Sequence, residues 1–293
     1  DPGWHGARLR ESLTARDCDS SCISLRDCSL DLSKESGLSL PGFDHLPDGV
    51  FVRGVPGGSL EQVVLYLDVL HVLKRLGITV YNDARAIELS VDKGMTSWLL
   101  RSAGVPTPPA WVTTDERAAR KLLRRELRAG NELVLKPLFG SQGEGLVRLA
   151  AEQDLPPPEY CNKVFYLQRF VPPIGTQGHD LRVIVIGGRA MAAMRRFGEG
   201  WINNVAQGGR CEPATLEPRL CQLAEAAATA LSMNYAGVDI MRDAAGDLQV
   251  IEINSIPAWK GMQRVCPLDI TACLVDDFLR CCRISTWMEV VSG

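Results

Sequence analysis

Three oxygen-bearing side chains, Asp239, Glu252 and Asn254, stand in a stretch of short apolar runs broken by a turn at Ala245-Gly246-Asp247. The runs over 238–241 and 248–253 read as the two strands of a hairpin. Side chains two apart on a strand share a face, so Glu252 and Asn254 project together and Asp239 can lie opposite them. Three converging oxygens suit a hard cation such as Mg2+, which favours carboxylate, carbonyl and phosphate ligands. A water-facing hairpin would also carry polar residues. It accounts poorly for Asp239 between Val238 and Ile240, and for Glu252 and Asn254 interleaved with Ile251, Ile253 and Ile256. The pattern points to phosphate chemistry.

A second group of residues points the same way. A strand over 132–137 carries Lys136 into Gly140-Ser141-Gln142-Gly143-Glu144-Gly145. Glycines let backbone N–H groups approach phosphate oxygens, and a lysine beside them acts as a point charge. The spacing matches neither GxxxxGK[ST] nor GxGxxG, which disfavours both of those nucleotide folds. Lys93 opens a helix over 92–102. Asp180 and Arg182 begin one strand, and Arg195 and Arg196 end the next. On adjacent strands such arginines can converge as a cationic clamp for carboxylate or phosphate. His5 and His179 are candidate substrate contacts, although a lone histidine is more often structural.

Alternating helix and strand patterns must position these groups. Helices are expected over 6–15, 60–76, 92–102, 115–129, 219–232 and 269–282. Strands are expected over 49–53, 78–81, 110–112, 132–137, 164–170, 181–186 and 190–195, ahead of the hairpin. Residues 29–49, with Pro41 and Pro47, read as loop-rich. The opening Asp1-Pro2-Gly3-Trp4-His5 reads as the loop after a strand that would lie upstream. At 293 residues the chain can bury two or three cores.

A net charge of −3, with 46% hydrophobic and 23% charged residues, describes an ordinary globular protein rather than a nucleic-acid binder. No apolar run reaches a membrane span; the best, 63–76, is interrupted by Asp68, His71, Lys74 and Arg75. Ten cysteines without a CxxC pair read as free thiols of a reducing cytoplasm. Cytoplasmic location is therefore expected, and a homo-oligomer is left open.

Taken in order, the lysines, glycine loop, polar strand, arginines and Asp…Glu-x-Asn hairpin resemble the ATP-grasp superfamily, specifically its RimK-type carboxylate–amine ligases. The likeness covers nearly the whole chain and is strongest over 92–261. Its most specific pieces are Asp92-Lys93, Lys136 with its loop, Gly178-His179-Asp180-Leu181-Arg182, and Gly237-Val238-Asp239 with Glu252-Ile253-Asn254-Ser255-Ile256-Pro257. The resemblance implies an ATP-grasp fold, part α/β and part α+β. An α/β pre-grasp domain would occupy 1–90, a small lobe with the glycine loop 91–170, and a large lobe with the metal site 171–293, the two lobes enclosing ATP.

By the same resemblance, Lys93 and Lys136 look like the nucleotide-binding lysines, with Gly140, Ser141, Gln142, Gly143 and Gly145 cradling phosphates. Gln168, Arg169, Phe170 and Val171 match the hinge strand at the adenine edge, and Asp180 the residue near the ribose. Arg182, Arg195, Arg196 and Asn204 look like catalytic groups. Asp239, Glu252 and Asn254 match the residues that hold Mg2+ or Mn2+, as two ions. Arg53, His5, His179, Ser255 and Lys260 are candidates for reading substrate. Two positions depart from the pattern: Arg169 stands where the family often has an acidic residue, and Ile202-Asn203-Asn204 where an arginine often precedes a polar pair.

The implied reaction is ATP-dependent. A small-molecule carboxylate is activated as an acyl phosphate, and an amino acid, glutamate, displaces phosphate to form an amide. Gly3-Trp4-His5-Gly6, Val52-Arg53 and Tyr81-Asn82 also resemble a narrower branch tied to tetrahydromethanopterin and methanofuran one-carbon metabolism. That likeness implies glutamate addition to such a cofactor or its precursor. The alternatives are a glutamate ligase acting on a protein tail, and an ATP-binding module that has lost ligation.

Overall fold

The computed structural model describes residues 3–140, 144–172, 179–198, 201 and 210–291, with side chains through residue 283. The chain opens with helix α1 (Gly3–Thr14). Strands β1 (Ser29–Leu30) and β2 (Leu38–Ser39) form a small antiparallel pair within the stretch read as loop. Strands β3 (Gly49–Phe51) and β4 (Thr79–Tyr81) pair in parallel, joined through helix α2 (Leu60–Arg75). That helix starts at a capping box: Ser59 accepts from the Gln62 N–H, and the Gln62 side chain accepts from the Ser59 N–H. Its Val69, Leu70 and Leu73 are buried with Val52, Val80 and Ile87.

Two helices follow where one was expected. Helix α3 (Ala84–Val91) ends at Asp92, whose carboxylate accepts the Gly94 and Met95 N–H groups and so starts α4 (Lys93–Ser102). An aspartate at an N-cap satisfies orphan N–H donors and favours the positive end of the helix dipole. Lys93 is thereby fixed in the first turn.

Next comes a four-stranded antiparallel sheet, built from β5 (Ala110–Thr113), β6 (Leu133–Lys136), β7 (Val147–Leu149) and β8 (Phe165–Arg169) in the order β5-β8-β6-β7. Helix α5 (Glu116–Arg128) covers one face, burying Ala119 and Leu123 with Leu133, Leu135, Phe165 and Leu167. The register sets Val134 opposite Gln168 and Lys136 opposite Tyr166. Alternation then turns Lys136, Tyr166 and Gln168 to the face away from α5.

The remainder builds a five-stranded antiparallel sheet in the order β11-β10-β9-β12-β13. Its strands are β9 (His179–Ile186), β10 (Arg189–Phe197), β11 (Arg210–Ala214), β12 (Tyr235–Arg242) and β13 (Leu248–Asn254). One face packs on helix α6 (Pro218–Ala230) through Val183, Val185, Val238 and Ile240. The other packs Ile184, Met194 and Tyr235 with Trp259 and Leu274. Here helices α7 (Lys260–Gln263) and α8 (Ile270–Val291) close over it. Among the described residues no helix is long and apolar enough to cross a membrane.

Candidate active site

The hairpin of β12 and β13 forms with the expected register: Asp239 stands opposite Glu252, and Gly237 opposite Asn254. Directly opposite residues of an antiparallel pair share a face. Asp239, Glu252 and Asn254 therefore look out on the same side. Gly237 is required there, because a Cβ at that position would meet Pro257 Cβ at 2.7 Å. The chain after β13 thus lies directly on the sheet beside Asn254.

On the neighbouring strand Arg182 stands opposite Asp239, and Arg196 stands opposite Asp180. These four residues form one buried ionic network. Arg182 donates Nε and Nη2 to the two Asp239 oxygens, each at 2.6 Å. Arg196 donates Nε and Nη2 to Asp180 at 2.6 and 2.8 Å, and its Nη2 lies 2.9 Å from Asp239 Oδ2. The exposure of these side chains is 15% for Arg182 and 4–6% for the rest. Burial opposes the ionised form of Asp239, but Arg182 and Arg196 outweigh it and hold its carboxyl below the usual range. For Asp180 burial dominates and pushes the carboxyl up to about 6, against the pull of Arg196.

Across from this sheet stand the lysines. Lys93 Nζ donates to the Gly140 carbonyl at 2.7 Å, which ties the first turn of α4 to the start of the glycine loop. Gly145 closes the described part of that loop with φ of +69°, where a Cβ would meet Pro137 at 2.8 Å. Burial lowers the Lys93 and Lys136 ammonium pKa values, and Glu252 works against that in both cases. Lys93, Ser97, Tyr166 and Glu252 line one small pocket. Lys93 of α4, Lys136 of β6 and Glu252 of β13 thus come together at a single cleft.

The Glu252 side chain forms no hydrogen bond or ion pair among the described residues. Asn254 spends only its amide N–H, on the Gly237 carbonyl at 3.4 Å, which leaves its oxygen available. Glu252 and Asn254 offer oxygens fit for Mg2+, which binds one or two carboxylates alongside phosphate oxygens. Both Asp239 oxygens are held by Arg182 and Arg196, so Asp239 could join only by giving up an arginine. Among the described residues no three His, Cys, Asp or Glu side chains gather to make a metal cage of their own. The donor set fits an ion that arrives with a phosphate.

Several expected site residues sit elsewhere. Arg195 stands opposite Leu181 and Glu212, so it faces the α6 side and is exposed. His179 shares that face, in contact with the Phe197 ring, and lines a cleft together with Arg195, Glu217 and Arg242. Strand alternation puts both on the face opposite Arg182, which corrects the expectation that Arg195 converges with it. Arg169 turns its side chain toward α5 and pairs with the buried Glu126 at 2.7 Å. Its backbone N–H donates to the Pro109 carbonyl, and that of Phe170 to the Glu132 carbonyl. Gln168 is buried on the cleft side, and Val171, just beyond the strand, is buried too. Ser255 is buried and accepts a hydrogen bond from Ser90 at 2.7 Å, so it braces the fold rather than reading a ligand. His5 Nε2 accepts the backbone N–H groups of Trp259 and Lys260 at 3.2 and 3.3 Å. Ser141, Gln142, Gly143 and Asn204 lie outside the described residues.

The sequence reading assigned no role to Asn82. Its side chain is fully buried, donates to the Tyr235 and Ser255 carbonyls at 2.6 Å, and accepts from the Asn234 and Tyr235 N–H groups. It locks the start of β12 to the segment after β13. A polar residue directly behind the apolar strand at Tyr81 was the only local signal.

Comparison with known proteins matches this architecture. The structure superposes on ATP-grasp ligase PsnB, solved with a phosphomimetic variant of its minimal precursor, Mg and ADP, with a TM-score of 0.72 and 22% identity over 96% of each chain. The RimK domain ATP-grasp protein of Sphaerobacter thermophilus gives a TM-score of 0.68 and 18% identity over 94% of this chain and 96% of its own. At these identities the likeness is one of fold, and the fold is that of the ATP-grasp ligases. The family model of the RimK-like ATP-grasp domain matches residues 90–278. A tetrahydromethanopterin:alpha-L-glutamate ligase of Methanocaldococcus jannaschii is 35% identical over 241 residues, 80% of this chain and 79% of that protein. The chain belongs to the RimK-like ATP-grasp family, and it is an ATP-dependent ligase that forms amide bonds.

Proposed function

We propose that this ligase adds α-L-glutamate to a tetrahydromethanopterin-type acceptor, in the cleft between the four-stranded and five-stranded sheets. The observation that carries the reading is the convergence of Lys93 and Lys136 on Glu252 at that cleft. The relatives named for this reaction support the choice of substrates. We read residues 1–90 as the pre-grasp domain, 91–170 as the small lobe and 171–293 as the large lobe.

In this reading Lys93, Lys136 and the backbone of the glycine loop would hold the triphosphate, and the segment from Gln168 to Val171 at the end of β8 would border the base. Glu252 and Asn254, with Asp239, would hold Mg2+, as two ions, and the metal would supply charge neutralisation at the phosphates. Arg182 is tied to Asp239 yet keeps 15% of its side chain exposed, so it can stabilise negative charge developing on the acceptor carboxyl. Arg196, more deeply buried, positions Asp180 and Asp239. The amine then displaces phosphate and the amide forms.

The test is a full-chain incubation with ATP, Mg2+, glutamate and tetrahydromethanopterin, read by mass spectrometry. The expected product is the acceptor heavier by one glutamyl residue, with ADP formed in equal amount. ADP formed only with a peptide acceptor would replace the cofactor by a protein tail. Nucleotide bound but never cleaved, across acceptors and amino acids, would mark a module without ligation.

A further inference from the structure

Arg53 follows β3 and reaches the segment that leaves β13. Its Nη1 donates to the Pro257 carbonyl at 3.3 Å and to the Tyr235 hydroxyl at 3.5 Å. Its guanidinium carbon lies 4.6 Å from the centroid of the Trp259 ring. These contacts fix the plane of the guanidinium and use one of its edges. Among the described residues the other edge, Nε with Nη2, makes no hydrogen bond. Nε is buried without a hydrogen-bond partner among the described residues, and a buried charged donor left unpaired is costly. Arg182 and Arg196 use this same Nε–Nη2 edge to grip Asp239 and Asp180. On Arg53 the fork has no carboxylate.

A second cation stands nearby. Lys260 is exposed, with Nζ 6.0 Å from the Trp4 ring centroid. Trp4 and His5 both touch Trp259, the ring beneath Arg53. Arg53 and Lys260 are the two charges that bear on His5, and after burial they drive its pKa down to about 4. The place is also continuous with the reaction centre. Pro257, which anchors Arg53, packs on Gly237, and a Cβ built at Gly237 would lie 3.8 Å from Arg182 Cδ. Pro257 thus touches both Arg53 and the glycine beside Arg182.

We infer that Arg53, with Lys260 beside it, is a carboxylate-binding site for one of the two organic substrates, at the junction of the N-terminal segment with the loop after β13. A carboxylate meets the Nε–Nη2 fork in bidentate fashion and offsets the uncompensated charge of both cations. The indole of Trp259 holds the fork in place before the ligand arrives. The inference rests on the ligase reading for its substrates, which are glutamate and a carboxylate-bearing acceptor. Either could supply the group.

The experiment compares wild type with Arg53→Lys, Arg53→Gln and Lys260→Gln in full-chain ligase assays. Arg53→Lys keeps the charge and loses the fork. Either Arg53 variant should raise the KM of one substrate at least about tenfold, and Lys260→Gln a few-fold, with nucleotide affinity and melting temperature near wild type. A rise confined to glutamate assigns the site to the amino acid, and one confined to the acceptor assigns it to the acceptor. Unchanged KM for both substrates, or a loss of kcat alone that Arg53→Lys restores, would reduce Arg53 to a brace for Trp259 and overturn the inference. Calorimetric titration of L-glutamate, and separately of the acceptor, into protein loaded with a non-hydrolysable ATP analogue reads binding without turnover. Wild type that binds a carboxylate here, loses it in Arg53→Gln, and yet never forms product would sink the ligase reading while leaving this site standing. Wild type that binds neither would overturn the site itself.

Discussion

Protonation of His5 should loosen the segment that borders the candidate active site. The imidazole Nε2 accepts two backbone N–H groups, from Trp259 and Lys260, so the ring is neutral with its proton on Nδ1. Burial first, then Arg53 and Lys260, lower its pKa from 6.5 to about 4. The folded value lies below the unfolded one. The stabilisation is therefore complete above pH 6.5 and is lost as pH falls through the interval down to about 4. At about 1.4 kcal/mol per pH unit the ceiling is roughly 3 kcal/mol. The ring is partly exposed, and solvent screening reduces the expectation to about 1–2 kcal/mol. Urea unfolding of wild type and His5→Ala, run at steps from pH 7.5 to pH 4.5, measures it. The variant should be less stable by about 1–2 kcal/mol at neutral pH, with the gap closing toward pH 4.5. A gap that stays constant with pH would refute the acceptor role of Nε2.

Other consequences follow from the same geometry. Asn82→Ala removes four buried hydrogen bonds made by one side chain and should cost about 2–4 kcal/mol in urea unfolding; a loss below about 1 kcal/mol would contradict its role as a clamp. Arg195→Ala, on the α6 side of the sheet, should change kcat/KM by less than about twofold, whereas a hundredfold fall would return it to the site.

The hairpin was legible because two strong local signals coincide there, period-two alternation and a glycine turn. The pattern put Asp239 within reach of Glu252 and Asn254, but the bulge between Asp239 and Ile240 that sets the exact register came only with the structure. The arginines show the limit of that approach. Arg195 and Arg196 are adjacent, and a single residue of parity decides which face each takes, so composition named the pair and only pairing to β9 chose between them. Strands β7 and β11 escaped because short edge strands carry little alternation, and β11 includes Pro213. Helix α3 was hidden because Asp92 ends it and starts α4 in the same step. Asn82 was beyond reach for a different reason. Its partners lie up to 173 residues along the chain, and no local window contains them.

Arg169 carries a similar lesson. Its charge departs from the family pattern, and the sequence alone offered no account of it. The structure supplies one, since the buried Glu126 of α5 pairs with Arg169, and burial of that carboxylate is outweighed by Arg169 and Arg125, which hold its pKa down. The charge belongs to the packing of the four-stranded sheet against α5.

The central claim is that Glu252, together with Lys93 and Lys136 at the cleft, is the carboxylate through which metal and nucleotide are made reactive. Glu252→Gln keeps the shape and removes the charge. Measured as ADP formation with ATP, Mg2+, glutamate and acceptor, turnover should fall by at least about a hundredfold. Melting temperature should stay at the wild-type value, because the Glu252 side chain makes no hydrogen bond among the described residues. Near-wild-type ADP formation by that variant would contradict the account.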